Sequence, residues 1–201
     1  ETELLHSWRN GDARHRATLD DYAALARAGL ALHEATGDQT PLSHARNLVA
    51  YLDAHFLDQD GAYFFTDDRA TDVIARTKSG FDNATPAGNG IIAEVLVRLF
   101  YLTGETSYRH RAEGVLRAFA GEIEQNAFGY GTLLMASGLL ADAPQVTIIG
   151  ASDDTLTEVL RAAAYKSEIP MRIVMTLTPG AALPDNHPAY GKTQINGAAT
   201  A

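Results

Sequence analysis

The feature of this sequence that most limits its fold is an alternation between two kinds of helical segment. Three segments, residues 18–35, 89–103 and 128–140, are apolar or small on nearly every side. Between them, residues 41–57 and 106–124 carry one apolar stripe at a spacing of three and four residues and are polar elsewhere. Because a helix that is apolar all round is buried and a striped helix faces water, the predicted order is inner, outer, inner, outer, inner.

The two inner–outer pairs also resemble each other in sequence. When the Thr-Gly pair at 36–37 is aligned with the Thr-Gly pair at 103–104, Ala45 matches Ala112. A repeat of this kind favours helical hairpins arranged as a partial α/α toroid, with one layer of helices inside the other. A solenoid of stacked hairpins is the competing arrangement. The predicted fold class is therefore mainly α, and we assign the partial toroid to residues 1–143.

Residues 144–201 have a different pattern and are assigned to a second, small α/β element. Two β-branched, apolar runs, residues 146–150 and 171–177, are typical of strands. The segment between them has the pattern of a helix that Ser152 and Asp153 can cap. Two strands joined through a helix predict a parallel β-α-β element, and the tail that follows has no periodicity and is expected to be a loop.

Composition excludes several classes of protein. The 201 residues carry a net charge of −9, which argues against binding nucleic acid or an anionic membrane surface, and no apolar run is long enough to cross a bilayer. The absence of Cys excludes disulfides, thiol nucleophiles and Cys-based metal sites, and it agrees with a cytoplasmic protein. No two His residues form a metal-binding pair, so we expect no metal ion and no cofactor. The chain begins without Met or a signal peptide, and we expect it to be a fragment of a longer protein.

Three stretches resemble one known family in their order and spacing: SWRNGDARHRATLDDYAALARAGLALHEATGD, DQDGAYFFT and RTKSGFDNATPAGNG. The family is that of the thioredoxin domain-containing proteins that include a spermatogenesis-associated member. The resemblance covers essentially the whole chain as the C-terminal part of such a protein. It implies an α/α toroid similar to those of N-acylglucosamine 2-epimerases and six-hairpin glycosidases. It also implies two partners outside this chain, an N-terminal thioredoxin-like domain and the remaining hairpins of the toroid.

The resemblance leaves two functional hypotheses open. In the first, the chain belongs to an enzyme that binds or converts a carbohydrate-like small molecule at the rim of the toroid. In the second, it is a non-catalytic scaffold or protein-binding module. The thioredoxin-like CxxC motif is absent, so the resemblance implies no redox role. Because a partial toroid leaves apolar surface uncovered, we also expect the chain to self-associate or to pack against the rest of a longer protein.

The candidate site is predicted at the rim where the inner helices begin. The connection over residues 58–88 is about 30 residues long, far longer than most helix–helix connections, and loops of that length often bind ligands. Its last part, SGFDNATPAGNG, is expected to line the mouth of a cavity. Asp82 and Asn89 lie in that stretch. They contact a ligand in one interpretation; in the other, Asp82 forms a turn and Asn89 caps the next helix.

Two further groups of residues complete the prediction. Asp20 and Asp21 begin the first inner helix, where they either stabilise the helix N-terminus or supply an acid or base to the cavity; only one of them is expected to face it. We assign a catalytic role to Asp21 and Asp82 and substrate contacts to Asn89 and three other residues. Those three are Tyr22, Tyr63 and Arg76. Alternatively, Tyr63 covers the end of a helix with its aromatic ring, and Arg76 is a solvated charge in a loop.

Overall fold

The protein was analysed as a computed structural model, which describes residues 3–71, 73–151 and 153–201. Two strands form a hairpin at the start of the chain, and a second pair lies near its end. The elements in chain order are β1 (Leu5–Arg9), β2 (Asp12–Arg16), α1 (Leu19–Thr36), α2 (Gln39–His55), α3 (Gly88–Thr103), α4 (Thr106–Ala118), α5 (Ala120–Gln125), α6 (Gly131–Ala141), β3 (Gln145–Ile149), α7 (Thr155–Lys166) and β4 (Ile173–Leu177). A short 3-10 helix, Ala127–Tyr130, precedes α6.

The prediction of a mainly α protein followed by a β-α-β element is confirmed. The long helix predicted over residues 106–124 is interrupted at Phe119, where the backbone leaves the helical conformation, and so becomes α4 and α5. The β3 and β4 strands pair in parallel, as their helical connection requires. Within the described residues, no helix combines the length and the apolar character needed to cross a membrane.

Helix α3 is the centre of the fold. It packs against α1, α4 and α6, while α1 packs in turn against α2. Most of its residues are buried, from Gly88 at its first turn to Leu102 at its last. This helix is therefore buried on nearly all sides, as its apolar sequence predicted.

The expectation that the other two inner helices would be buried on all sides is wrong. Helix α1 leaves Leu25 and Leu32 exposed by 49% and 53%, and α6 leaves Leu134 and Met135 exposed. Helix α1 packs against α3 and α2, and α6 packs mainly against α3, so that each of them still leaves part of its apolar surface exposed. An apolar sequence therefore identified helices whose sides can all be buried. Of the three, α3 is the one that its neighbours bury on nearly all sides.

The two repeated hairpins share their turn geometry. Helices α1 and α3 both end at a glycine with positive φ, Gly37 at 77° and Gly104 at 74°. Each of these glycines donates its backbone N–H to the helix carbonyl four residues earlier. The aligned residues Ala45 and Ala112 are both fully buried, so the sequence repeat corresponds to equivalent packing positions.

The hairpin β1–β2 was not anticipated from the sequence. Asn10 and Gly11 connect the strands with φ angles of 51° and 85°, as a tight two-residue turn requires. Every residue of both strands is exposed, which explains why no alternation of apolar residues indicated them. The hairpin is attached to the long connection through Arg16, which pairs with the buried carboxylate of Asp67 at 2.7 Å.

The two faces of the β3–β4 sheet pack against different parts of the protein. Ile173 and Met175 belong to the main core with the helices, whereas Val174 packs with Ile148 and Ala164 of α7. Asp154, not the predicted Asp153, caps α7 by accepting a hydrogen bond from Thr157 N at 3.1 Å; Ser152 lies outside the described residues. The tail is a loop, as expected.

Candidate functional site

The N-termini of α1 and α3 meet at one end of the protein. Gly88, the first residue of α3, lies so close to α1 that a Cβ there would be 2.3 Å from Asp20 Oδ1. The Asp20 carboxylate accepts a hydrogen bond from the backbone of Gly88. Glycine at this position therefore permits direct contact between the two helix ends.

A cleft of about 230 Å³ opens beside this contact, and we call it the rim cleft. The stretch SGFDNATPAGNG supplies much of its wall, as the sequence predicted, and the chain before it supplies Phe65 and Thr77. Its lining includes Asp20, Phe65, Thr77, Phe81, Asn83 and Asn89. Two phenyl rings thus lie in one depression with hydroxyl, amide and carboxyl groups.

Asp20 is the carboxylate of the rim cleft. Burial raises the pKa of Asp20 above its ordinary value, against the opposing effect of the hydrogen bond from Gly88, and the neighbouring charge of Asp21 raises it further. A carboxyl group with a raised pKa binds a proton more readily than its neighbours do. Asp20 is therefore the group in this cleft best suited to exchange a proton or to donate a hydrogen bond when protonated.

Asp21 does not line the rim cleft, although it lies with Asp20 at a neighbouring depression. Its Oδ2 accepts hydrogen bonds from Thr18 N at 2.8 Å and Thr18 Oγ1 at 3.0 Å, and His6 Nδ1 lies at 2.8 Å. Burial would raise the pKa of Asp21, but these hydrogen bonds hold it below its ordinary value. Asp21 thus closes the first turn of α1, and its catalytic role stays a prediction without support from these contacts.

Asp82 fixes the backbone around the cleft. Its Oδ1 accepts a hydrogen bond from Ala87 N at 2.9 Å, and its Oδ2 accepts one from Thr132 N at 2.7 Å in the first turn of α6. Its own backbone N–H donates to Gly129 O at 2.7 Å. These contacts match the interpretation of Asp82 as a turn-former and join the SGFDNATPAGNG stretch to the connection before α6.

Asn89 is fully buried at the base of the cleft. Its predicted role as a helix cap is wrong, because Ala87 occupies the N-cap position and Asn89 lies within the first turn of α3. The Asn89 side chain bonds both backbone groups of Tyr63, with Oδ1 accepting at 2.8 Å and Nδ2 donating at 2.9 Å. Nδ2 also donates to Ser79 O at 3.0 Å. Asn89 therefore holds two parts of the long connection against α3.

The two tyrosines assigned to substrate contacts are both buried. Tyr63 donates its hydroxyl hydrogen to Asp53 Oδ1 at 2.6 Å, and that carboxylate also pairs with Arg111. Tyr22 stacks on Tyr51 with ring centroids 4.8 Å apart, and its hydroxyl oxygen accepts a hydrogen bond from Leu4 N at 2.9 Å. Burial raises the pKa of both tyrosine hydroxyls. Neither ring lines the rim cleft.

Arg76 lies in the long connection, where it bonds the last carbonyl oxygen of α2, and it does not line the rim cleft. Its Nη2 donates to the carbonyl oxygens of His55 and Thr66, both at 2.8 Å, and its guanidinium group lies 4.0 Å from the centre of the Phe64 ring. Lys78 nearby pairs with Asp58 and Asp60. The convergence of Asp21, Asp82 and a cation in one pocket, which would have favoured an enzyme, is not observed.

The predicted stretch does line a cleft, but most of the side chains that were assigned to the site form hydrogen bonds within the protein. Asp20, weighed beside Asp21, was not selected because adjacent residues on a helix cannot be told apart without knowing what packs around them. The cleft phenylalanines were not selected; Phe65 lies in the aromatic GAYFFT segment, which was the available signal. Within the described residues, no three His, Asp or Glu side chains are grouped so as to hold a metal ion.

Comparisons with known proteins give distant relatives. No family model matches the chain. It is 28% identical to spermatogenesis-associated protein 20 of Rattus norvegicus over 160 residues, which is 78% of this chain and 20% of that protein. It is 32% identical over 104 residues to the Mus musculus protein of the same name, and 32% over 107 residues to an uncharacterized protein of Caenorhabditis elegans. The two matches cover 51% and 53% of this chain, and 13% and 14% of those proteins, respectively.

The chain thus spans about a fifth of the length of the rat relative that it matches, and less of the other two. The similarity supports the resemblance to the spermatogenesis-associated proteins that the sequence motifs indicated. It adds no activity, since the names of these relatives state none.

Proposed function

We propose that the rim cleft binds a small, polyhydroxylated, carbohydrate-like molecule. The observation that carries the proposal is the combination, in one cleft, of Asp20 with two partly exposed phenyl rings, Phe65 at 42% and Phe81 at 41%. An aromatic ring offers an apolar face to the C–H groups of a sugar, and the carboxyl and amide groups beside it offer hydrogen bonds to its hydroxyls.

The proposal is one of binding and does not extend to a specific reaction. Epimerisation requires an acid and a base on opposite sides of a bound sugar, and hydrolysis requires two carboxyl groups at a set separation. In the rim cleft Asp20 is the one carboxyl group among the described lining residues. A catalytic role would therefore need a second group from outside these lining residues.

The test is thermal unfolding in the presence of millimolar D-glucose, D-mannose or N-acetyl-D-glucosamine. A ligand that binds only the folded state raises the melting temperature in a saturable manner. We expect Phe65→Ala to remove the rise, because its ring is an exposed wall of the cleft. Phe128→Ala is the matched control, since Phe128 is fully exposed and lies outside the cleft. Absence of a saturable rise for all three sugars would contradict the proposal.

A separate observation favours the alternative, a scaffold or protein-binding module. An apolar groove of about 570 Å³ lies between α1 and α2, with Leu4, Leu25, Leu32 and Leu48 among its lining residues. Such a surface is typical of an interface with another part of a longer protein or with a partner. The remaining hairpins and the thioredoxin-like domain implied by the family resemblance are the partners that we propose for it.

A further inference from the structure

The carboxyl ends of β3 and β4 open onto a cavity at the end of the protein opposite the rim cleft. This cavity measures about 740 Å³ and is lined by Gly150 after β3, by Thr176 and Thr178 at the end of β4, and by the C-termini of α1 and α3. We call it the carboxyl-edge pocket. The carboxyl edge of parallel strands is the position where α/β proteins commonly bind ligands, but position alone assigns no ligand.

Arg161 of α7 provides the independent observation. Arg161 is 9% exposed to solvent, and its Nη1 atom is buried without a hydrogen-bond partner among the residues that the structure describes. A Cβ placed on Gly37 would lie 3.2 Å from this Nη1 and 3.5 Å from Thr176 Cβ. Gly37 and Thr176 both line the pocket, so the guanidinium group lies directly behind this part of the pocket lining.

Among the residues that the structure describes, no carboxylate forms an ion pair with Arg161. Thr176 Oγ1, close to the same point, is also buried without a partner among the described residues. The acidic residues that line the pocket are engaged elsewhere: Asp38 accepts a hydrogen bond from Thr40 N at the start of α2, and Glu105 pairs with Arg46 at 2.6 Å. A buried guanidinium group without an acceptor is costly, and a bound anion would remove that cost.

We propose that the carboxyl-edge pocket binds an anionic oxygen group, a phosphate or a carboxylate, which pairs with Arg161 and accepts a hydrogen bond from Thr176. Both anions present oxygen atoms that match the fork of donors of a guanidinium group. The site is separate from the rim cleft and uses none of its residues, so it does not depend on the proposed function.

The experiment is thermal unfolding at neutral pH and constant ionic strength in sodium chloride, sodium phosphate or sodium acetate. At a concentration about tenfold above its dissociation constant, the bound anion should raise the melting temperature by about 3–6 °C over chloride. A rise with phosphate alone identifies a phosphate site, and a rise with acetate identifies a carboxylate site; either supports the proposal. A wild-type protein with the same melting temperature in all three salts would overturn it.

Arg161→Met removes the charge but retains a long side chain, and we expect it to lose the anion-dependent rise. Arg117→Met is the matched control, because Arg117 is an exposed helical arginine on α4 and forms no ion pair with any residue that the structure describes. This pair of variants also separates binding from the general stabilisation that phosphate gives all proteins through exclusion from their surface. Retention of the full rise in Arg161→Met would overturn the proposal.

Two further variants keep the test decisive if Arg161→Met does not fold. Arg161→Lys keeps the charge but removes the fork, and Thr176→Val removes only the hydroxyl group while preserving the shape of the side chain. We expect each to reduce the anion-dependent rise. A purely structural Thr176 would instead give a Val variant with an unchanged rise, since its hydroxyl has no protein partner to lose.

Discussion

At the scale of single residues, the rim of this protein depends on side chains that replace missing backbone partners. Asn89 satisfies three backbone groups in two segments of the long connection. Asp82 satisfies two backbone N–H groups on either side of the same rim. Polar residues in a loop next to a helix can thus supply hydrogen bonds to the backbone of that loop. Mutation of such residues is expected to lower stability, whether or not it also changes ligand binding.

Asn89→Ala should lower the free energy of unfolding by about 2–4 kcal/mol, because it leaves backbone groups of Tyr63 and Ser79 buried without partners. This exceeds the value of about 1 kcal/mol expected for a lost helix cap. Urea unfolding measures the difference. Asn83→Ala, an exposed change in the same stretch, is the control and should alter stability by less than about 0.5 kcal/mol.

Asp82→Asn should destabilise the protein by about 1–3 kcal/mol, because one of its two carboxylate oxygens is replaced by an amide NH2 group, which then faces a backbone N–H donor. Asp142→Asn, at an exposed position after α6, should have little effect. Melting curves with and without a sugar of the panel then separate two roles. Loss of sugar binding at unchanged stability would restore the ligand-contact interpretation of Asp82.

The adjacent residues Asp20 and Asp21 should influence the pH dependence of stability in opposite directions. The lowered pKa of Asp21 gives stability that is present above its unfolded value of 3.8 and is lost as the pH falls through the folded value. The raised pKa of Asp20 favours the folded state below 3.8, and that contribution is lost as the pH rises through the folded value.

Asp20→Asn should therefore be more stable than wild type at neutral pH, with the difference shrinking as the pH falls through the raised folded pKa of Asp20 towards 3.8. Asp21→Asn should be less stable at neutral pH, with its difference also shrinking in acid. Urea unfolding of both variants from about pH 3 to about pH 7, which includes the ordinary pKa range of carboxyl groups, measures these differences in the free energy of unfolding. The same sign of effect for both variants would show that their environments are not different.

At the scale of secondary-structure elements, the contact between the N-termini of α1 and α3 depends on a residue without a side chain. Gly88 brings the first turn of α3 against Asp20 and Leu19. The rim cleft exists because the chain before α3 folds over this contact. A change at Gly88 should therefore alter both stability and the shape of the cleft.

Gly88→Ala should lower the free energy of unfolding by about 1–3 kcal/mol, since its Cβ would lie 2.3 Å from Asp20 Oδ1 and 2.7 Å from Leu19 Cγ. Gly138→Ala in α6 is the matched control, because a Cβ there meets no atom within 4 Å. The control should raise stability by up to about 1 kcal/mol through the better helix propensity of alanine. Equal effects in chemical denaturation would contradict the close approach of the two helix ends.

At the scale of the whole molecule, helices α1 and α6 each have one covered and one open side. An apolar groove lies between α1 and α2, and Leu25 and Leu32 of α1 are exposed in it. An open apolar face of this kind is expected to find a partner.

We expect the isolated chain to self-associate with rising concentration, and multi-angle light scattering measures this. Leu25→Lys combined with Leu32→Lys should shift the chain to monomer, because both leucines are exposed in the apolar groove and can be replaced without opening the core. Phe128→Lys, also exposed but outside the groove, should leave association unchanged. A wild-type monomer at all concentrations would contradict the prediction for the isolated chain.

The sequence by itself determined the type and position of most elements. Periodicity identified α1 to α4 and α6, and the β-branched runs identified β3 and β4. Both signals are local, because the spacing of apolar residues within one helix or strand follows the repeat of that element. The rim cleft could also be located, since the Gly- and Asn-rich stretch precedes a buried helix.

Only the tertiary structure decided which side chains face the cleft and which support it. Asp20 and Asp21 look alike in sequence, but Gly88 of another helix buries the first, while Thr18 and His6 bind the second. Arg161 has the sequence context of a surface residue on an exposed helix, yet it is buried against Gly37 and Thr176. The burial and the partners of a polar side chain are set by residues distant in the chain, and that information is absent from its local pattern.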